Sequence, residues 1–296
     1  MLSYFQAVIL GIIQGATELF PVSSLGHSVI APGLFHWTVN QSDPFFLAFL
    51  VATHLATALV LVGFFYKDWM LIILCWFKAL FRRGPKTEGG APVSAGSIVN
   101  MYARLGWLIL IATIPAGLLG FLFQKKLAIL FASPRIVALF LLLNGVMLWA
   151  MEIYQKRRAA VEDIGSADSD SRISRLSVGK SIGIGLAQCL ALLPGFSRTG
   201  ATLSGGLLAG MNHEDSARFA FLLATPIILA AAVLKLPELF VSGKAALLGP
   251  LLAGVVAAGV GAYLSVRFLT KYFKTHKLTP FGLYCIVVAL AYLVLV

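Results

Sequence analysis

The stretch QGATELFPVSSLGH, residues 14–27, places a carboxylate, two hydroxyls and an imidazole inside an otherwise strongly apolar segment, 4–35. Pro21 interrupts this segment, because proline lacks a backbone N–H and disfavours a helical residue before it. Each arm beside the break is shorter than the roughly 20 residues that a helix needs to cross a bilayer. The sequence therefore predicts a re-entrant helix–loop–helix at 4–35, which enters and leaves the membrane on the same side.

The rest of the chain has the composition of a helical membrane protein. Of its 296 residues, 59% are hydrophobic and only 12% are charged, whereas soluble domains carry about 25% charged residues. The short run 69–81 is expected at the membrane interface. We predict an all-α polytopic fold with six transmembrane helices, at 45–66, 105–123, 135–151, 217–234, 247–269 and 280–296.

An internal repeat relates the two halves of the chain. The block QCLALLPGFSRTGA at 188–201 matches residues 14–27 with an offset of 174, and AFLLAT at 220–225 matches AFLVAT at 48–53 with an offset of 172. Each half holds one broken segment and three spans, and because three crossings are odd, the second half must be inverted. The predicted units are a first repeat at 1–151, a cytoplasmic linker at 152–180 and a second repeat at 181–296, which opens with a re-entrant segment at 181–211.

The basic residues give this topology an orientation. The net charge is +11, but the lysines and arginines lie in the connections between apolar runs, which is typical of a membrane protein and disfavours a nucleic-acid partner. The connections at 67–104, 152–180 and 267–277 carry sixteen basic residues, against five on the opposite side. We therefore expect these connections in the cytoplasm, with both termini and the mouth of the first re-entrant segment on the periplasmic side.

Glu18 is the only carboxylate before Asp43, and it lies on an apolar helix one turn after Gln14, so that both side chains project from the same face. An ionisable group at membrane depth is costly and usually functional. Glu18 is therefore a candidate metal ligand or general acid or base, with Gln14 beside it. The alternative is a structural polar residue that bonds a neighbouring helix.

Two serines and a histidine follow the break. Ser23 and Ser24 stand where a helix N-cap is expected, so one can cap the return helix while the other offers a catalytic hydroxyl. His27 lies three residues after Ser24, on a similar face of the helix. A hydroxyl beside an imidazole and a carboxylate is the composition of an activated nucleophile. A structural histidine is the alternative.

The second break carries an anion-binding pattern, PGFSRTGAT at 194–202. Arg198 lies between two short helices. It is either half of a buried salt bridge, with Glu18 as the partner, or a guanidinium fork for phosphate oxygens. The return helix directs its N-terminal N–H groups at the same place, which favours an anion. The expected contributors are Ser197, Thr199 and Thr202 through their hydroxyls and Gly200 through close backbone approach. His54, inside the span 45–66, is expected to be structural or to line the cavity, and contact with the ligand is the alternative.

Together these two blocks resemble the (E/Q)-x-x-x-E and P-G-x-S-R-(S/T)-x-x-T signatures of the undecaprenyl-diphosphate phosphatase family, of the bacitracin-resistance type. The similarity runs through most of the chain. It implies an enzyme of the bacterial cytoplasmic (inner) membrane that removes the terminal phosphate of undecaprenyl diphosphate, and so recycles the lipid carrier of wall synthesis. It also implies a divalent cation, Mg²⁺ or Ca²⁺, and a site that opens to the periplasm.

The resemblance also implies a role for each matched residue. It makes Glu18 a metal or acid–base carboxylate, and it makes Ser24 or His27 the nucleophile. Arg198 becomes the phosphate clamp, helped by Ser197 and Thr202. Many members have glutamate at the position of Gln14 here, and the glutamine weakens a mechanism with two carboxylates on one metal.

A polyprenyl-phosphate transporter or flippase is the rival hypothesis, because inverted repeats with broken helices are also typical of alternating access. The second half has Leu192 and Ala201 where the first has Glu18 and His27. A symmetric carrier does not require this asymmetry, whereas an active site assembled from two halves does. The sequence therefore favours the phosphatase, with its lipid substrate and bilayer lipids as partners and a homodimer as a further expectation.

Overall fold

The computed structural model describes residues 2–37, 39, 43–81, 95–131, 133–158, 168–240 and 248–295. Throughout these ranges the regular structure is helical and contains no strand. Five helices are long and apolar enough to cross a membrane, at Phe45–Phe64, Ile98–Phe123, Pro134–Arg157, His213–Leu234 and Leu248–Tyr272. The predicted all-α polytopic membrane fold is thereby confirmed.

The remaining helices are shorter than these five. The sixth predicted span, 280–296, corresponds to a helix of 17 residues, and the run 69–81 belongs to a helix of 16 residues. Of the predicted basic connections, 82–94 and 159–167 lie outside the described residues. In chain order the helices are α1 (Tyr4–Leu19), α2 (Ser24–Leu34), α3 (Pro44–Phe64), α4 (Tyr66–Phe81), α5 (Ala95–Phe131), α6 (Pro134–Arg158), α7 (Ser169–Ser174), α8 (Val178–Gln188), α9 (Arg198–Leu208), α10 (His213–Phe240), α11 (Leu248–Tyr272) and α12 (Thr279–Leu295).

Both segments that the sequence predicts to be broken are interrupted at their prolines. Between α1 and α2 the chain passes through Pro21, and between α8 and α9 it passes through a 3₁₀ turn, Cys189–Leu192, and then Pro194. Gly195, which follows, has a φ of +107°, and a Cβ there would collide with the backbone of Val137 in α6. Glycine is therefore needed at this break for both its conformation and its size.

The two return helices begin with the same serine cap. Ser23 Oγ accepts a hydrogen bond from the Gly26 N–H at 3.2 Å, and Ser197 Oγ accepts one from the Gly200 N–H at 3.1 Å. These two caps occupy positions that the sequence repeat pairs by its offset of 174. The division into inverted repeats and the re-entrant path across the bilayer remain predictions.

Small residues allow the broken helices to pack closely against long ones. Gly11 and Gly15 of α1 lie against Gly254 and Ala258 of α11, and a Cβ at either glycine of α1 would collide with a carbonyl oxygen of α11. Gly185 of α8 meets the backbone of α5 in the same way. Close backbone approach of this kind gives helices in lipid their van der Waals contact. It fixes the position of α1 along α11.

A group of buried and half-buried charges, which we call the α7–α10 network, consists of Asp68, Asp170, Arg172, Asp215 and Arg218. Arg172 donates two hydrogen bonds to the Asp215 carboxylate, each of 2.7 Å, and these bonds raise the pKa of the Arg172 guanidinium. Arg218 donates to Asp170 at 2.6 and 3.0 Å and to Asp68 at 2.8 Å. The network therefore joins the start of α4 to α7 and to the start of α10.

Candidate active site

The Glu18 carboxylate, in the last turn of α1, is the centre of the site. One of its oxygens, Oε1, is ion-paired with the guanidinium of Arg198. The other, Oε2, accepts hydrogen bonds from the Gln14 side-chain amide at 2.9 Å and from the Ser24 hydroxyl, and lies 3.2 Å from Nε2 of His54. Glu18, Gln14 and Ser24 are all buried. The fold therefore gathers side chains from α1, α2, α3 and α9 around one carboxylate.

Arg198 is the first residue of α9, directly after the second break. Its ion pair with Glu18 crosses between the two broken segments, as one of the sequence hypotheses proposed. The next residue, Thr199, reinforces this contact, because its hydroxyl donates to the Glu18 backbone carbonyl at 3.1 Å. Nε of Arg198 is buried and has no hydrogen-bond partner among the described residues. The guanidinium thus retains a donor that an anionic ligand can use.

The other hydroxyls expected at the second break are engaged by the backbone. Ser197 caps α9 and also donates to the carbonyl of Phe20 at 3.3 Å, while Thr202 donates to the carbonyl of Arg198 at 2.8 Å. Gly200 lies where a Cβ would come within 3.3 Å of the Pro21 carbonyl oxygen. Ser197, Thr202 and Gly200 therefore stabilise the backbone of the two breaks, and Arg198 supplies a hydrogen-bond donor for a ligand.

His27 does not contact the Ser24 hydroxyl, contrary to the expectation from their spacing. Its Nδ1 lies 2.7 Å from the Ser23 carbonyl oxygen, one helical turn earlier, and its Nε2 lies 2.9 Å from the Tyr284 hydroxyl of α12. The imidazole and the Tyr284 ring are stacked, with 5.6 Å between their centroids. Both ring nitrogens are therefore engaged elsewhere, and the structure pairs Ser24 with Glu18 instead.

His54, which the sequence predicted only to line the cavity or contact a ligand, lies beside Glu18. Its Nδ1 is 2.7 Å from the Leu50 carbonyl oxygen, which can only accept a hydrogen bond, so Nδ1 carries a hydrogen. Its Nε2 faces Glu18 Oε2 at 3.2 Å, and an imidazole lone pair facing a carboxylate oxygen would repel it. The contact is therefore favourable when a proton lies between the two groups.

One residue that the sequence reasoning missed is Asn144 of α6. It is completely buried, donates to the Pro21 carbonyl at 3.0 Å and accepts from the Ser197 N–H at 3.1 Å. It therefore contacts both breaks. A signal was present, since Asn144 is the only amide, hydroxyl or charged side chain between Arg135 and Glu152.

Oxygen ligands for a cation are available beside Glu18. The described part of the chain contains no cluster of three His, Cys, Asp or Glu side chains that could hold a metal by themselves. Gln14 Oε1, however, is buried beside Glu18 and lacks a hydrogen-bond partner within the described ranges. Mg²⁺ is commonly bound by one or two carboxylates, water and substrate phosphate oxygens. A carboxylate, an amide oxygen and a diphosphate fit that pattern.

Comparison with known proteins gives matches along nearly the whole chain. The family model described as bacitracin resistance protein BacA matches residues 7–291. An undecaprenyl-diphosphatase of Mycolicibacterium paratuberculosis is 46% identical, over 99% of this chain and 97% of the relative. An undecaprenyl-diphosphatase 2 of Chromobacterium violaceum is 45% identical, over 96% and 95%. An undecaprenyl-diphosphatase of Acidiphilium cryptum is 44% identical, over 94% and 93%.

Proposed function

The chain belongs to the bacitracin resistance protein BacA family, and on that premise we propose that it is an undecaprenyl-diphosphatase. It converts undecaprenyl diphosphate into undecaprenyl phosphate and inorganic phosphate, and so returns the lipid carrier to cell-wall synthesis. The observation that carries this proposal is the buried Glu18 carboxylate, which accepts the Ser24 hydroxyl hydrogen while it is paired with Arg198. The Ser24 hydroxyl, the Glu18 carboxylate as its base and the Arg198 guanidinium, which can bind phosphate, therefore lie together.

Ser24 is the nucleophile in this proposal, and Glu18 is its base. The Ser24 oxygen attacks the terminal phosphorus, its proton passes to Glu18, and the bond from that phosphorus to the bridging oxygen breaks. Undecaprenyl phosphate leaves with the bonding electron pair and takes up the proton. Water then attacks the phosphoserine, and a water proton returns to the Ser24 oxygen as inorganic phosphate leaves.

Arg198 stabilises the phosphoryl group during both steps. Its side chain is held at the start of α9, where the helix N-terminus also favours negative charge. The charge that spreads over the equatorial oxygens in phosphoryl transfer is best stabilised by a fixed cation in a site that excludes water. Its ion pair with Glu18 keeps the guanidinium in place until the diphosphate enters.

His54 and His27 have different roles in this scheme. His54 orients Glu18 and shares a proton with it, because its other nitrogen is fixed by Leu50. His27 is engaged with Tyr284 and Ser23, so it supports the wall of the site between α2 and α12. These contacts favour Ser24 over His27 as the nucleophile.

A divalent cation, Mg²⁺ or Ca²⁺, is also part of the proposal. Glu18 and Gln14 Oε1 would hold it together with the diphosphate oxygens. When bound, the cation offsets the negative charge of the diphosphate. A glutamine supplies an oxygen ligand without a second charge, so we expect weaker cation binding than two carboxylates would give.

The protein is a multi-pass membrane protein, and we propose that its termini and the mouth of the site face the periplasm of the bacterial cell. The distribution of basic residues supports this orientation. Its substrate is a lipid, and the exposed apolar side chains of α12, among them Leu283, Val287 and Leu290, provide a surface for a polyprenyl chain. A homodimer remains a prediction. The transporter hypothesis receives no support from the relatives' names.

The test is the release of phosphate from undecaprenyl diphosphate by the purified full-length protein in detergent, with and without Mg²⁺ or Ca²⁺. Cation-dependent release by the wild type, with loss in Ser24→Ala, Glu18→Gln and Arg198→Ala, supports the proposal. A Cys189→Ala variant serves as the control, because Cys189 lies in the 3₁₀ turn and contributes no group to the site. A wild type that binds the lipid but releases no phosphate would overturn the proposed function.

A further inference from the structure

Asn144 lies where α6 crosses both breaks. Val137, Leu141 and Asn144 follow one another at intervals of four and three residues, so they share one face of α6. That face packs against the second break, since a Cβ on Gly195 would meet both the Val137 carbonyl and the Leu141 N–H. Asn144 continues this face to the place where the two breaks touch.

Both the nitrogen and the oxygen of the Asn144 side-chain amide form hydrogen bonds there. Its nitrogen donates to the Pro21 carbonyl, and its oxygen accepts from the Ser197 N–H. The nitrogen also approaches Cys285 Sγ of α12, at 3.5 Å. The two backbone groups lie outside regular helices, so they have no partner within a helix. A buried peptide group of this kind must be paired, and Asn144 pairs one from each break.

These two bonds are close in sequence to the reacting groups. Pro21 lies three residues from both Glu18 and Ser24, and Ser197 directly precedes Arg198. The planar amide has a fixed span between its donor and its acceptor. It therefore sets the separation between the backbone segment that carries Glu18 and Ser24 and the segment that carries Arg198.

We propose that Asn144 is a positioning residue that joins the two breaks and so holds Ser24 and Glu18 at the correct distance from Arg198. The inference rests on the proposed function, because its effect is exerted on phosphoryl transfer. Asn144 itself touches neither the carboxylate nor the guanidinium in any contact that the structure describes. A hydrocarbon of similar shape would fill the same space but remove both of these bonds, so that, among the described residues, only the Ser197 and Thr199 hydroxyls would still bond the first break, at the carbonyls of Phe20 and Glu18.

The test compares Asn144→Leu and Asn144→Gln with the wild type in full-length protein, using farnesyl diphosphate as the probe. We expect Asn144→Leu to lower kcat by about tenfold or more and to change KM by less than about twofold, because small misplacements of reacting groups act on the transition state. Asn144→Gln keeps the amide on a longer side chain and should retain more activity than Asn144→Leu.

Ser181→Ala is the matched control, because Ser181 is also fully buried and donates to the Leu108 carbonyl of another helix at 2.7 Å, away from both breaks. Thermal unfolding is measured for every variant. We expect Ser181→Ala to lower the unfolding temperature while kcat stays within about twofold of wild type. If Asn144→Leu does not fold, Asn144→Gln decides, with a kcat below wild type as the expected result.

Two results would count against the role of Asn144. One is a wild-type kcat in every Asn144 variant that folds, and the other is an equal loss of kcat in Ser181→Ala. Failure of the proposed function would appear differently, as a wild type that releases no phosphate from either farnesyl or undecaprenyl diphosphate.

Discussion

The candidate site and the α7–α10 network both contain buried carboxylates paired with arginines. They differ in whether the side chains of these groups keep polar atoms without a hydrogen-bond partner. In the network, Arg172 and Asp215 are joined by two hydrogen bonds, and a serine hydroxyl also donates to the same carboxylate. In the site, Arg198 Nε and Gln14 Oε1 are buried, and neither has a partner among the residues that the structure describes. The Arg172–Asp215 pair thus uses the polar atoms that face each other, whereas the site keeps one donor and one acceptor available to a ligand.

The ion pairs of the two regions concern the stability of the protein, whereas the unpartnered polar atoms of the site concern its function. Removing one partner of a buried ion pair leaves an uncompensated charge, which costs about 3–5 kcal/mol. Breaking a pair is therefore expected to destabilise the protein in both regions. Among the residues that the structure describes, the site differs in that its own arginine and glutamine keep unused polar atoms, Arg198 Nε and Gln14 Oε1, beside a hydroxyl that donates to a carboxylate. Matched substitutions in the two regions can test whether this is what distinguishes them.

The largest effect is expected from Glu18→Gln. Because the amide cannot accept the Ser24 proton as a carboxylate does, we expect kcat/KM for phosphate release to fall by about 10²–10⁴. The matched control is Asp215→Asn, which makes the same chemical change in the network and should leave kcat/KM within about threefold of wild type. Equal losses of kcat/KM in Glu18→Gln and Asp215→Asn would show that the two carboxylates do not differ in function.

A smaller effect is expected from Arg198→Lys. Lysine keeps the charge but has no planar fork, so we expect kcat/KM to fall by roughly 10- to 100-fold. Arg172→Lys is the corresponding change in the network and should not alter the kinetics. Phosphate release at several substrate concentrations checks both variants, and full activity in Arg198→Lys would argue against bidentate phosphate binding.

Arg172→Ala should destabilise the protein by about 2–4 kcal/mol without a proportionate loss of kcat, because it leaves Asp215 buried without its main partner. The measurement is the unfolding temperature in detergent, together with kcat below that temperature. Since hydrogen bonding to Asp215 raises the pKa of Arg172, the guanidinium keeps its charge throughout the neutral range. An unchanged unfolding temperature would mean that the network contributes little.

The smallest effect is expected from His27→Gln. If Glu18 is the base for Ser24, the loss of an imidazole that contacts Tyr284 should lower kcat by less than about tenfold, below the usual range for a general base. Tyr284→Phe removes the other half of the same contact and should give a similar result. A loss in His27→Gln as large as that in Glu18→Gln would restore His27 as nucleophile or base.

Local signals in the sequence were sufficient for the framework of the site. A proline within an apolar run predicted each break, and an isolated carboxylate and arginine on apolar helices predicted Glu18 and Arg198. Both predictions depend only on the cost of placing such residues in lipid. The ion pair between them was one of two alternatives, and the structure contains it.

Contacts between distant parts of the chain could not be predicted in the same way. The spacing of Ser24 and His27 suggested a pair, but spacing gives only a shared helical face, and the imidazole instead bonds the Ser23 carbonyl and a tyrosine 257 positions away. Ser23 itself has a φ of +66°, a conformation that side-chain patterns do not reveal. Hydropathy identifies the span that contains Asn144 but does not indicate which other segment a single polar side chain of that span contacts.

The close contact between α1 and α11 has a consequence for the protein in membranes of different thickness. α11 has 25 residues and is about 37 Å long, which exceeds a hydrocarbon core of roughly 30 Å, so it is expected to tilt. Gly11 and Gly15 fix α1 against α11, and Glu18 lies one turn beyond Gly15. A bilayer that changes the tilt of α11 therefore changes the depth at which the carboxylate meets a lipid headgroup.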